Sequence, residues 1–189
     1  MRIAKFAFDY AVKEGRKKVT VVHKANIMKL SDGEFLNAAR ETALRYPSIK
    51  FEEMIVDATC MYLTLKPQTF DVMLLPNLYG SIMGSVVAGL VGGPGVATGI
   101  NIGENHMMFE QGARHPAKDL VPGRTGNPIA FILSASNMLR HLSLQKYSDA
   151  INHAVYQVIS EARIRTPDLG GHNTMDEVTK EIISKVRMV

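Results

Sequence analysis

A single cysteine, Cys60, occurs in the 189 residues, so no internal disulfide can form and a disulfide-stapled secreted scaffold is excluded. Cys60 lies in an apolar stretch, 58–65, where a buried, inert thiol is the default. There is no CxxC and no Cys/His cluster. His23, His106, His115, His141, His153 and His172 show no metal-ligand spacing, which removes structural zinc. Apolar runs are broken by Gly or Pro well short of the roughly 18 residues a membrane span needs. No charged-then-apolar leader opens the chain. Charge of one sign is scarce too. The net charge is +4, and the one basic run, Arg16-Lys17-Lys18, reads as a solvated turn rather than a nucleic-acid patch. The motifs GxxxxGK[ST], G-x-S-x-G and HExxH are absent, and Gly92-Gly93-Pro94-Gly95 lacks the GxGxxG form. A balance of 46% apolar and 21% charged residues leaves a soluble globular protein whose length suits one compact domain.

What is present alternates between two periodicities. Ile3, Phe6, Ala7, Tyr10 and Ala11 recur at helical spacing up to Gly15, and predict a first helix with those residues on its buried face. Residues 18–23 hold a β-branched run (Val19, Thr20, Val21, Val22), the mark of a strand buried on both faces. Ser31-Asp32-Gly33-Glu34 has the form of a capping box, opening a helix that Pro47 ends. A second strand is expected at 49–56, a helix at 58–65 and a third strand at 71–75. Helix and strand in alternation predict an α/β protein with a largely parallel sheet.

The segment 79–91 is apolar or small on every helical face and carries Gly80, Gly84 and Gly89. Each glycine costs a helix about 1 kcal/mol unless close approach returns it. Packing against another subunit and burial in the core explain this equally well. The stretch from Gly92 to Gly126 is loop-rich, with one expected strand at 107–110. The composition shift near Gly92 is the one candidate domain boundary. Asn127-Pro128 offers an N-cap and a first-turn proline to the next helix, and a further helix is expected at 146–162. Thr174-Met175-Asp176-Glu177 is a second capping box, opening the last helix.

Open α/β sheets bind ligands beyond the carboxyl ends of their strands, so the strand exits carry the most functional weight. His23-Lys24 follows the first strand, Asp57 the second and Asn77 the third. Lys24 is either a solvated strand-exit lysine or a partly buried group suited to proton transfer. Asp57 is either a helix N-cap, the preferred assignment from the residues alone, or a hard-cation ligand.

At these residues the chain resembles the isocitrate and isopropylmalate dehydrogenases. The likeness is carried by His23-Lys24-Ala25-Asn26-Ile27-Met28-Lys29, Asn77-Leu78-Tyr79-Gly80, Gly92-Gly93 and Asn127-Pro128, and runs the whole length. Gly112-Ala113-Arg114-His115-Pro116 and the run from Leu133 to His141 resemble most the β-type regulatory subunits of the mitochondrial NAD-dependent enzyme. The resemblance implies a doubly wound α/β fold with a large and a small domain, here incomplete, because family members are nearly twice this long. Residues 1–91 would be part of the small, dimer-interface domain and 92–189 the C-terminal part of the large one. The half missing before Met1 implies exposed strand edges and apolar surface in the 189-mer alone.

Two departures define the expected function. Catalytic members read Asn-Leu-Tyr-Gly-Asp-x-x-x-Asp, with two carboxylates at i and i+4 aimed at one Mg²⁺ or Mn²⁺, whereas this chain has Ser81 and Ser85. Their cofactor loop reads His-Gly-Thr-Ala-Pro-Asp-Ile, whereas this chain has Ala113-Arg114-His115-Pro116-Ala117-Lys118-Asp119. Asn127, which in the family faces the adenine, remains. By the resemblance, Lys24 (proton transfer) and Asp57 (metal ligation) would still reach across a dimer into a neighbour's site. The expectation is a non-catalytic regulatory or structural subunit of a heteromeric NAD-dependent isocitrate dehydrogenase. It would complete the site of a catalytic partner that turns isocitrate into 2-oxoglutarate and CO₂ in the mitochondrial matrix. NAD and Mg²⁺ or Mn²⁺ would be held in the complex rather than by this chain alone, with no nucleic acid or membrane as partner. The rivals are a self-sufficient NAD-dependent oxidative decarboxylase of isocitrate or isopropylmalate, and a pure assembly protein without catalytic contribution.

Overall fold

The structure, a computed structural model, describes residues 1–112 and 125–187. The chain divides into two compact units, Met1–Val87 and Ala88–Val189.

The first unit is built on a three-stranded parallel sheet ordered β2-β1-β3, with β1 Lys18–His23, β2 Lys50–Ile55 and β3 Val72–Leu74. β1 is the central strand and is buried from Val19 to His23, as its unbroken β-branched run requires. Its register runs from Lys18 opposite Lys50 to His23 opposite Ile55 on one side. On the other, Val19 lies opposite Val72. Helices α1 (Arg2–Lys13), α2 (Ser31–Ala43) and α3 (Val56–Leu65) alternate with the strands, and α4 (Asn77–Leu90) follows β3. The α/β architecture expected from the alternation is the one observed.

The core centres on Phe8, which has no exposed surface and stacks on Tyr46 at a centroid distance of 5.1 Å and on Phe51 at 6.5 Å. Burying such a ring contributes about 2–3 kcal/mol. The buried stripe of α1 is Ala4, Ala7, Phe8 and Ala11, at i, i+3, i+4 and i+7. The expected face is therefore corrected. Ile3, Phe6 and Tyr10 are exposed, because the alanines, not the bulkier residues, allow the helix to approach the sheet.

The box at Ser31 also differs. Leu30 is already helical (φ −81°, ψ −58°), and the amides of Asp32, Gly33 and Glu34 donate to the Met28 and Leu30 carbonyls. Upstream backbone thus satisfies the free N–H groups, and Ser31 makes no cap. The second box forms as expected: in α7 (Met175–Val186) Thr174 Oγ1 accepts from the Glu177 amide while Glu177 Oε2 accepts from the Thr174 amide.

The second unit pairs α5 (Ile129–His141) and α6 (Gln145–Glu161) with α7 around Ile129, Ala154, Val155, Val158, Val178 and Ile182. It also contains an antiparallel hairpin, β4 (Thr98–Ile102) with β5 (Met107–Gln111), in which Ile100 faces Phe109. The loop-rich reading of this stretch missed β4. Gly112 closes the hairpin base, where an added Cβ would lie 2.7 Å from the Thr98 carbonyl oxygen. Ser134 Oγ donates to the Glu110 carbonyl at 2.6 Å and so fastens α5 to β5. Among the described residues no helix is long and apolar enough to cross a membrane.

Candidate functional site at the carboxyl edge of the parallel sheet

The parallel register places the exits of β1 and β2 side by side, since His23 and Ile55 are paired and Lys24 and Asp57 come just after them. The Lys24 Nζ donates to Asp57 Oδ1 at 2.5 Å. The Lys24 side chain is partly covered, 27% exposed, while Asp57 stands open at 69%. Asp57 is not the cap of α3. Ile55 holds that position in an extended conformation, and Asp57 sits inside the first turn. The Lys24 ammonium, helped by the backbone amide of Asp57, holds this carboxyl below the usual carboxylate range. The two groups thus form a fixed ammonium–carboxylate pair with its carboxylate facing outward.

Three further contacts fix the backbone of Lys24. Its amide donates to Asp32 Oδ2 at 2.7 Å. Its carbonyl accepts from the amides of Ile27 and Met28. Next to it, the Ala25 amide donates to His23 Nδ1 at 3.1 Å. Asp32 is 8% exposed, and the same Oδ2 also accepts the Tyr79 hydroxyl at 2.8 Å. The carboxylate pushes the Tyr79 hydroxyl above its ordinary range by stabilising the protonated phenol. Sequence reasoning missed Asp32 and Tyr79 as parts of the site. They are 47 residues apart, and Asp32 was assigned to a helix start.

Tyr79 belongs to the first turn of α4, the helix that opens at Asn77 beyond β3. Two residues on, Ser81 and Ser85 lie one turn apart on an exposed face, and Ser85 Oγ donates to the Ser81 carbonyl at 3.0 Å. Neutral hydroxyls, one of them engaged with backbone, lack the charge that holds a hard divalent cation with few protein ligands. Among the described residues no three His, Cys, Asp or Glu side chains gather as a metal site. Among the described residues, Ser81 and Ser85 offer no anionic ligand to a Mg²⁺ or Mn²⁺ ion at this place on α4.

Much of the rest of α4 is exposed among the described residues. Leu78 is 68% exposed and Leu90 50%, and Met83 and Ala88 are buried. Within the described residues α4 is therefore not buried on every face. Cys60 is half-buried, with Sγ 3.9 Å from Met83 Sδ.

Asn127 belongs to the second unit. Its Oδ1 accepts from the Ile129 amide at 2.9 Å, but the expected cap is displaced by one residue: Pro128, not Asn127, holds the N-cap position of α5, and Pro128 precedes the helix rather than opening it. Its Nδ2 donates to Asp168 Oδ2 at 2.9 Å, and Asp168 Oδ1 accepts from the buried Thr166 hydroxyl. Gly95 makes room for this relay, because a Cβ there would stand 2.5 Å from Asp168 Oδ2. Both ends of the Asn127 amide are thus occupied by the protein. The altered stretch Ala113 to Asp119 lies outside the described residues.

Comparison with known proteins gives these positions a context. The family model for isocitrate/isopropylmalate dehydrogenase matches residues 1–186. The β subunit of mitochondrial NAD isocitrate dehydrogenase from Bos taurus is 54% identical over 96% of this chain and 47% of its own length. Regulatory subunit 1 from Arabidopsis thaliana is 51% identical over 98% of the chain and 51% of its own. The human γ subunit is 48% identical over the whole chain and 48% of its own. The crystal structure of isocitrate dehydrogenase from Methylococcus capsulatus superposes with a TM-score of 0.95 at 41% identity, covering 98% of this chain and 55% of that one. The chain therefore spans about half the length of the relatives it matches. By sequence along nearly its whole length and by the course of its backbone, the chain belongs to the isocitrate/isopropylmalate dehydrogenase family.

Proposed function

We propose that this chain acts as a non-catalytic subunit of a heteromeric NAD-dependent isocitrate dehydrogenase, completing a catalytic partner's site with Lys24 and Asp57. The observation that carries this is the contrast within one unit. The Lys24–Asp57 pair is intact and faces outward, whereas Ser81 and Ser85 offer hydroxyls on the helix where catalytic members of the family have carboxylates. The relatives are named as subunits of such an enzyme, β, γ and regulatory.

NAD bound in the assembled enzyme would supply the hydride acceptor for oxidation of the isocitrate carbinol. Lys24 holds a proton at Nζ, oriented by Asp57, and is the group that delivers or relays it at the shared site. Asp57 would offer its carboxylate as one anionic ligand to a divalent ion held by the partner. The exposed apolar residues Leu78 and Ile82 of α4 and Met61 and Leu65 of α3 form the face that packs on that partner. Residues 1–91 would then be the interface domain and 92–189 part of the large domain, with the complex in the mitochondrial matrix.

The test is co-expression of the full-length chain with a catalytic isocitrate dehydrogenase subunit. A stable complex with NAD-linked turnover that neither subunit shows alone is the expected result. Turnover by the full-length chain alone, with Mn²⁺ and isocitrate bound in the absence of any partner, would overturn it in favour of self-sufficient catalysis.

A further inference from the structure

We infer that Asp32 and Tyr79 are positioning residues for Lys24, tying the place of the Lys24 backbone to the first turn of α4; the inference rests on the donated role of Lys24 proposed above. One carboxylate oxygen, Asp32 Oδ2, receives both the Lys24 amide at 2.7 Å and the Tyr79 hydroxyl at 2.8 Å. Its second oxygen accepts a longer bond of 3.3 Å from Ser31 Oγ. An acid in the first turn of a helix is ordinarily solvated and serves the free amides there. Asp32 does neither: it is buried, and the amides of its own turn are taken by the Met28 and Leu30 carbonyls. Its charge is spent on an amide eight residues upstream and a hydroxyl 47 residues downstream.

The consequence for Lys24 is geometric. With its amide held by Asp32 and its carbonyl by Ile27 and Met28, the only freedom left is that of the side chain, whose tip is engaged with Asp57. A catalytic ammonium must be held within a fraction of an ångström of its productive place, and groups behind it set that tolerance. Because Tyr79 stands two residues before Ser81 on α4, a shift of the α4 first turn moves the anchor of Lys24 with it. Hydrogen bonds to a charged acceptor are the stronger kind, so the loss of one is large enough to read in turnover.

The experiment uses the full-length chain in complex with a catalytic subunit, and compares Tyr79→Phe, Asp32→Asn and Lys24→Ala. Two quantities are read: steady-state kinetics in isocitrate, and amide hydrogen exchange of the segment 24–30. Tyr79→Phe removes a single hydroxyl and keeps the ring, so it remains informative even where Asp32→Asn fails to assemble. Expected for Tyr79→Phe is a fall in kcat of about tenfold, with KM for isocitrate unchanged. Exchange should be faster in 24–30 and unchanged in α6. On a Lys24→Ala background the further loss in kcat should vanish, as it must if Tyr79 acts through Lys24. Wild-type exchange and kcat in Tyr79→Phe, beside an impaired Lys24→Ala, would overturn the inference and leave the donated lysine standing. Wild-type turnover in Lys24→Ala would instead overturn the donated lysine. Exchange alone then decides the anchor: acceleration in Tyr79→Phe supports it, and no change removes it.

Discussion

Lys24 and Asp57, 33 positions apart in sequence, occupy adjacent strand exits of a parallel sheet and meet as an ion pair of 2.5 Å. Neither is neutralised by a second charge in the contacts described, and the carboxylate of the pair remains largely open. An exposed pair of this kind contributes little to stability. Its geometry therefore argues for use rather than for fold maintenance.

Lys24→Ala is accordingly expected to leave the thermal midpoint of the complex within a few degrees of wild type while cutting the partner's turnover by about a hundredfold, the lower end of general acid–base contributions. Steady-state assays beside a melting curve check both halves. Unchanged turnover would favour a pure assembly role for this chain.

Phe8→Ala should do the opposite. The ring is enclosed by Tyr46 and Phe51 and lies against the sheet, so its removal leaves a cavity at the centre of the first unit. A loss of about 3–5 kcal/mol in urea unfolding is expected. Phe6→Ala, on the exposed side of the same helix, should cost under about 1 kcal/mol in the isolated chain.

Much of this architecture was legible in the residues, and the failures share a cause. The β-branched run of β1 declared a central strand because both of its faces are buried, and the Thr174–Glu177 box declared a helix start because nothing upstream competes with it. The box at Ser31 failed because preceding backbone had already satisfied the helix, information that lies in the turn 24–30 and not in the four residues of the motif. β4 escaped because Gly99 and Asn101, which alternate with Thr98, Ile100 and Ile102, are residue types depleted in strands. On α1, size was mistaken for burial: the alanines pack inward because the sheet is close. Lys24 and Asp57 could be named from strand exits, while Asp32 and Tyr79 could not. Their contact spans 47 residues and depends on α2 and α4 meeting at one point.

Acid should weaken the first unit in a predictable window. Lys18 holds the Glu52 carboxyl below its ordinary value of 4.5, and Arg40 does the same for Glu53 through paired bonds of 2.6 and 2.7 Å. A carboxylate whose pKa is lower folded than unfolded adds stability that is complete above the unfolded value and lost as pH falls through the folded one. Stability should thus be flat above about pH 6 and decline below about pH 4.5. Glu53→Gln should make that decline shallower and cost about 0.5 kcal/mol at pH 7, since Arg40 is half exposed and the pair is screened. Urea unfolding at a series of pH values reads both effects, and a Glu53→Gln curve parallel to wild type would remove Glu53 from the account.

Restoring charge to α4 tests directly whether Ser81 and Ser85 account for the non-catalytic role proposed for this chain. Ser81 and Ser85 are exposed and one turn apart, so Ser81→Asp with Ser85→Asp places two carboxylates on one helical face without displacing any buried group. Two anionic ligands at that spacing create the attraction for a hard cation that two hydroxyls lack. The double variant is expected to bind Mn²⁺ at least tenfold more tightly than wild type, the equivalent of about 1.4 kcal/mol, in a titration followed by electron paramagnetic resonance. Like-charge repulsion between the new residues costs a few tenths of a kcal/mol in metal-free protein, so its melting point should fall slightly and rise again with added Mn²⁺. Equal Mn²⁺ affinity in wild type and double variant would mean that the serines are not what keeps the ion away, and would remove Ser81 and Ser85 as the basis of the proposed non-catalytic role.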